Sequence, residues 1–450
     1  MRVSISKAEL IGALSYALDL TEGQAEGHAL RCCFIGMTMA EHLSFPQDQR
    51  GDLYYMLLLK DIGCSSNAAR ICQLFLADDL TFKRDFKTLN ESLPQVLHFV
   101  FSHTGLKAGL AERFRALVHN FTAGNITHEL IETRCQRGAE IARQMRFSEA
   151  VATGILDLDE HWNGSGLPLG RKGAEISPLA QIALLAQVAD VFHTASGPAA
   201  ARREIARRSG KWFDPALAAV FATVAADPAF WAALKAPDME SRIKRFAPSD
   251  ATETVEEDFL DAVAAAFAEV VDAKSPFTSG HSKRVALFAD LIAEELGLSD
   301  EHRRHLKRAG LLHDIGKLGV SNQILDKNGK PDDDEWAAIK SHPGLGERIL
   351  SRITAFADLA VVAASHHERL DGRGYPRGLT AEALGLDTRI ISVADVFDAL
   401  TADRPYRPAM PIDKAFSIMD RDVGLAFDPD CYDALKRALA RVEPVLKAAA

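Results

Sequence analysis

An all-α fold of two tandem, related helical domains is what the sequence predicts, on three observations. Alanine and leucine recur at helical spacing from end to end. Alternating β-branched runs, the mark of half-buried strands, are scarce. Finally, the two halves share an ordered series of matching words. His28 falls on His281, Arg31 on Arg284 and Lys60-Asp61 on His313-Asp314, all at a separation of 253 residues. Further on, Gly138 falls on Gly346, and Asn163-Gly164-Ser165-Gly166-Leu167-Pro168 on Asp371-Gly372-Arg373-Gly374-Tyr375-Pro376, at a separation of 208. Ala189-Asp190-Val191-Phe192 then repeats Ala394-Asp395-Val396-Phe397, and Phe213-Asp214-Pro215 repeats Phe427-Asp428-Pro429. The change of 45 places an insertion in the first copy, within 65–130. A series kept in one order is the signature of a duplication.

Taken in order, residues 5–60 read as a helix pair, with His28 and Arg31 on one face of the second helix. Residues 65–130 read as one long helical stretch, and 130–235 as further helices around the glycine-rich loop at 163–168. Residues 236–254 are polar, contain prolines and lack periodicity, which predicts a linker. The expected domains are therefore 1–235 and 255–450. In the second, helices are expected at 255–273, 281–296, 300–316, 332–352, 355–366, 387–401, 411–420 and 429–446. Pro331 followed by Asp332-Asp333-Asp334 marks a helix start, where proline and acids suit the first turn.

With 450 residues each domain can bury its own core. A net charge of −10 and pI near 5.9 argue against coating DNA, RNA or an anionic membrane. No apolar run reaches ~18–20 residues. The N-terminus lacks a basic segment leading into a clean apolar core. The six cysteines show no Cys-x-x-Cys spacing and read as reduced thiols. Together these predict a cytoplasmic protein.

Chemistry concentrates in the second half. His366-His367 run into a loop that Gly372, Gly374 and Pro376 force off any helix; His281, His313-Asp314, His342 and Asp395 flank it. These are nitrogen and hard-oxygen donors without a thiolate, a set suited to iron, manganese or a similar divalent ion rather than structural zinc. Seven donors, with one carboxylate able to bridge, predict two metals. In the first half Lys60, Arg134, Leu158 and Asp159 replace four of them, while His28, Asp61 and Asp190 remain; that copy reads as catalytically dead.

The words His313-Asp314-Ile-Gly-Lys317, His366-His367-Glu368…Asp371-Gly-Arg-Gly-Tyr-Pro376 and Arg404-Pro-Tyr-Arg407 resemble the HD-GYP family of bacterial cyclic-dinucleotide phosphodiesterases over roughly 275–410. The N-terminal half resembles a degenerate HD domain. The resemblance implies two tandem HD-type helical domains. It implies metal ligands His281, His313, Asp314, His342, His366, His367 and Asp395, with Asp314 bridging. The position of a glutamate that serves a third metal in some members is Phe277 here, which favours two. Iron or manganese is expected, with magnesium, nickel, cobalt or zinc as the other candidates.

Lys317, projecting beside Asp314 on a continuing helix, would meet the scissile phosphate as a point charge, so Asp314 and Lys317 are the expected catalytic pair. Asp371, Gly372, Gly374, Tyr375, Arg404 and Arg407 complete the expected substrate contacts. Tyr375 could stack on guanine, dock a diguanylate cyclase domain or merely pack, and the glycines could serve only the loop's backbone. The implied activity is hydrolysis of cyclic di-GMP or 3′,3′-cyclic GMP-AMP to the linear dinucleotide or mononucleotides. The alternatives are a phosphohydrolase for another nucleotide, and a scaffold acting through the loop and the dead copy. The first half is expected to regulate or to form a homodimer.

Overall fold

The computed structural model describes residues 5–89, 93–105, 109–122, 126–248, 255–403 and 407–449. Among them the fold is all-α, and the only β-type pairings are three isolated bridges. The chain divides into two compact units, Met1–Phe259 with Ser321–Gln323, and Leu260–Val320 with Ile324–Ala450.

The expected linker at 236–254 differs from what is seen. Helix Met239–Lys244 lies within it and packs on helix His28–His42, burying Met239 and Ile243. Met239, Ile243 and Phe246 recur at helical spacing, an apolar stripe too short to stand out against the prolines around it. The units part inside helix Glu257–Asp272 instead.

In the first unit the expected helix pair at 5–60 is three helices, Lys7–Thr21, His28–His42 and Gln47–Leu59. Gly23 and Gly27, both at positive φ, make the first break. The stretch at 65–130 is likewise broken. Helix Ala68–Phe75 ends at Leu76 in a left-handed conformation, and Asp78 then caps Asp79–Phe86 by accepting from the Leu80 and Thr81 N–H groups. Helices Leu93–His103 and Leu110–Thr122 follow. Ile71, Leu74, Phe75, Phe82 and Phe99 form a separate small core for this inserted region.

The second unit repeats the first closely. Helices His281–Glu295 and Asp300–Leu312 match His28–His42 and Gln47–Leu59 end to end, and the turn Ala381–Ala383 matches Gly173–Glu175. The expected helix at 332–352 is two, Asp333–Lys340 and His342–Leu350, and Asp332 and Glu335 form a capping box on the first. Helices His281–Glu295 and Leu386–Thr401 pack together, with Val285, Ala289, Ile292, Ile390, Val393 and Phe397 buried between core elements. Each large apolar side chain so buried stabilises the fold by about 1.5–3 kcal/mol. All six cysteines are free and five are buried. No single helix among the described residues is long and apolar enough to cross a membrane.

Candidate metal centre

Each candidate ligand sits at a helix boundary or on a buried helix face. His281 opens helix His281–Glu295 after Gly280, which has positive φ. His313 closes helix Asp300–Leu312, and Asp314 begins the 3₁₀ turn Ile315–Gly319. A Cβ on Gly316 would lie 1.9 Å from the His342 carbonyl oxygen. Glycine there lets the turn close directly on the start of helix His342–Leu350. His366 and His367 follow helix Ala357–Ser365, and Asp395 faces inward from Leu386–Thr401.

These elements converge. Ligand atoms of Asp314, His342, His366 and His367 lie within 4.8 Å of one another, and so do those of His281, His313 and Asp395. Asp314 joins the two groups. Its Oδ2 lies 3.3 Å from His281 Nε2 and 3.4 Å from His313 Nε2, while its Oδ1 lies 3.4 Å from His342 Nε2 and 3.7 Å from His366 Nε2.

Four imidazoles are oriented from behind. The Nδ1 atoms of His313, His342 and His366 donate to the carbonyls of Gly310, Ile339 and Ala363 at 2.8, 2.6 and 2.9 Å. His281 Nδ1 donates to Asp398 Oδ2 at 2.7 Å. With the proton on Nδ1, each Nε2 lone pair points into the cluster, the arrangement a metal-ligating histidine requires. Burial lowers the His366 pKa to about 4, so its imidazole is neutral. Burial alone would raise the Asp314 carboxyl, but Lys317 and the surrounding histidines outweigh it and hold Asp314 well below its usual range.

His281 Nε2, His313 Nε2 and Asp314 Oδ1 are buried and have no hydrogen-bond partner among the described residues. Leaving such atoms unsatisfied is costly, and one divalent cation in each of the two groups would satisfy all three. Imidazole nitrogens, two carboxylates and inward-facing orphaned atoms fit a pair of divalent ions.

The other expected site residues are placed differently. Helix Asp300–Leu312 does not continue through Lys317. The 3₁₀ turn, in which side chains three residues apart eclipse, brings Lys317 Nζ to 2.5 Å from Asp314 Oδ2. Tyr375 stacks on His367 with ring centroids 4.8 Å apart and meets Trp336 edge-on at 5.9 Å. Lys340 Nζ lies over both Trp336 and Tyr375. Asp371 is held by Arg369 and by the Arg373 N–H, within its own loop. Gly372 has φ of 75°, and a Cβ on Gly374 would lie 2.4 Å from Glu368 Cα, so both glycines serve the backbone. Arg407 donates to the carbonyls of Ala399, Leu400 and Pro408, closing the end of helix Leu386–Thr401. Arg404 lies outside the described residues.

Three residues to which the sequence assigns no role matter in the structure. Glu368 is buried and accepts from the Arg377 and Leu379 N–H groups, tying down the loop; its counterpart Glu160 does the same in the first copy. Trp336 stands partly exposed beside Tyr375. Asp398 is the third, and it corrects an equivalence. The match of Asp190 to Asp395 rested on the shared Ala-Asp-Val-Phe word. In space Asp190 takes His28 Nδ1 and Arg31, as Asp398 takes His281 Nδ1 and Arg284. The constant separation of 208 puts Gln187, not Asp190, at the place of Asp395. The first copy has thus lost a further ligand.

The HD domain family model matches residues 115–217 and 265–431. The chain is 51% identical over 433 residues to the 3′3′-cGAMP-specific phosphodiesterase 3 of Vibrio cholerae, covering 96% of this chain and 94% of that one. It is 42% identical over 180 residues to the cyclic di-GMP phosphodiesterase response regulator RpfG of Xanthomonas campestris pv. campestris, covering 40% and 48%. Among solved structures it is similar to a cyclic GMP-AMP specific phosphodiesterase of V. cholerae, V-cGAP3, with a TM-score of 0.67, 45% identity and 97% and 98% of the two chains covered. With the paired donor groups and the loop that follows them, these likenesses place the chain in the HD domain family and, within it, in the HD-GYP branch of phosphodiesterases.

Proposed function

We propose that this chain is a metal-dependent phosphodiesterase that hydrolyses a cyclic dinucleotide, with 3′,3′-cyclic GMP-AMP as its preferred substrate. The observation that carries the reading is Asp314, whose two carboxylate oxygens each face a separate group of histidines. The preference rests on layout. Similarity to the V. cholerae enzyme named for 3′3′-cGAMP runs through both halves, whereas similarity to RpfG covers 40% of this chain.

His281, His313 and Asp395 would hold one divalent ion and His342, His366 and His367 the other, with Asp314 shared. The absence of a thiolate favours iron or manganese. Ions bound there would supply Lewis acidity to a phosphoryl oxygen and to water.

The chain's own groups do the rest. Lys317 sets a cation beside Asp314, where a phosphate would approach, and compensates its charge. Stacked on His367, Tyr375 forms with Trp336 an aromatic wall for a base. Glu368 and Gly374 hold the loop that presents Tyr375. Hydrolysis breaks the bond from phosphorus to a 3′-oxygen; water supplies the hydroxyl to phosphorus and the proton to the departing oxygen. The first half, with its ligands lost, regulates the catalytic half or forms a homodimer, in a cytoplasmic setting.

The test is to count metals in anaerobically purified protein, then assay iron- and manganese-loaded samples against 3′,3′-cyclic GMP-AMP and cyclic di-GMP, with Asp314→Ala as the control. The reading expects about two metals per chain, faster turnover of 3′,3′-cyclic GMP-AMP, and loss of both metal and turnover in the variant. A metal-free, inactive wild type under every loading would overturn it.

A further inference from the structure

The first copy's counterpart of the metal centre already contains a cation. Lys60 stands where the second copy has His313. Its Nζ lies 3.1 Å from His28 Nε2 and 3.0 Å from Gln187 Oε1, and it is paired with Asp61 Oδ2. At the two constant separations these acceptors are the counterparts of His281, Asp395 and Asp314. They are the three residues that converge with His313 in the catalytic half. Lys60 is 2% exposed, so the ammonium is as buried as a metal would be.

The other side of Asp61 is also closed by cations. Lys87 Nζ lies 3.5 Å from Asp61 Oδ1 and 2.6 Å from Glu22 Oε2. Arg134, at the place of His342, pairs with Asp159, at the place of His367. Each oxygen of Asp61 thus faces a protein cation, whereas both oxygens of Asp314 face histidines and only Oδ2 also meets a cation, Lys317. His28, Cys32 and Asp190, like Glu22, Asp61 and Cys64, lie close enough together to resemble metal triads. Their charges are already met by Arg31, Lys60 and Lys87.

We infer that Lys60 is the resident cation of a former divalent-metal site: its ammonium bridges the donors a metal once bridged, and the first copy folds without any metal. The hydrogen-bond roles agree. Burial, reinforced by Lys60, lowers the His28 pKa to about 4, leaving a neutral ring whose Nε2 accepts from the ammonium. Burial would raise the Asp61 carboxyl, but Lys60 and Lys87 outweigh it and hold it well below its usual range. Replacement of a ligand by lysine therefore does more than repel a metal. It satisfies the donors that metal loss would leave orphaned, and confines dependence on metal to the catalytic half.

The experiment uses the full chain loaded with manganese and desalted, measuring metal per chain and the thermal midpoint. Lys60→His/Gln187→Asp restores the donor types of the second copy. It is expected to hold one more manganese per chain than wild type and to gain more in midpoint on manganese addition. Lys60→Met is expected to lower the midpoint, and Lys60→Met/Asp61→Asn to recover part of that loss, because the buried carboxylate is gone with its partner. If Lys60→His/Gln187→Asp does not fold, this second pair decides alone. A folded double variant with no extra metal, a Lys60→Met midpoint equal to wild type, or loss of metal from wild type on His28→Ala would each overturn the inference.

Discussion

Replacing Asp398 with asparagine should weaken metal binding without touching a ligand. The carboxylate, 1% exposed, receives three donors: His281 Nδ1 at 2.7 Å, Arg284 Nε at 2.5 Å and Arg284 Nη2 at 3.1 Å. An asparagine offers one accepting oxygen and turns an amide N–H towards groups that are themselves donors. His281 then loses either its tautomer or its fixed ring orientation. Loss of such an outer partner typically costs 10–100-fold in metal affinity or activity, equivalent to about 1.4–2.8 kcal/mol. Manganese affinity is to be measured by competition with a chelator, and turnover across a manganese titration. Asp398→Asn is expected to bind manganese 10–100-fold more weakly and to recover most of its turnover in excess metal. Asp190→Asn supplies the control. It disturbs the same contacts with His28 and Arg31 in the first copy and should leave manganese affinity unchanged. Unchanged affinity in Asp398→Asn, or an equal loss in Asp190→Asn, would refute the reasoning.

Three further outcomes follow from the same geometry. Gly374→Ala must accommodate a Cβ 2.4 Å from Glu368 Cα; it should destabilise the catalytic half by about 1–3 kcal/mol or more, and an alanine variant with wild-type midpoint and activity would contradict this. Trp336→Ala should raise KM for the cyclic dinucleotide about tenfold at nearly constant kcat, since stacking on a base is worth about 1–3 kcal/mol; a fall in kcat at constant KM would count against the aromatic wall. Burial, with Arg208 adding to it, lowers the His161 pKa to about 4 from an unfolded value near 6.5. The unfolded chain therefore binds the extra proton between these values. The stability that neutral His161 contributes is present above pH 6.5 and lost as pH falls towards 4, on the order of 2–3 kcal/mol. Urea melts of wild type and His161→Phe at pH 7, 5.5 and 4.5 should diverge in that direction, and a constant difference would exclude it.

Helix content was legible because periodicity is local, but helix ends were not. Two joined runs at 332–352 part at His342, where Pro343 opens the second helix and the His342 backbone meets Gly316 from another element. The 236–254 stretch shows the same limit: its composition resembles a linker, while Met239 and Ile243 are helical because helix His28–His42 offers them a surface. His302 and His305 meet Asp387, 85 residues from His302, a partner no local pattern indicates.

For the site, the sequence by itself determined the donor types and the copy that retains them. Adjacent imidazoles, a His-Asp pair and a glycine loop in fixed order are chemistry written locally, and all seven expected donors gather in the two groups. Only the tertiary structure decided how the donors divide around Asp314, which aspartate supports His281, and what fills the first copy. Asp395 and Asp398 are three residues apart on one helix, so both can face the same core. A matching word cannot choose between them, whereas the Nδ1 of a histidine more than a hundred residues away can. Lys60 is the same case: as a letter it is a lost ligand, and as a buried ammonium between His28, Asp61 and Gln187 it is what holds the lost site together.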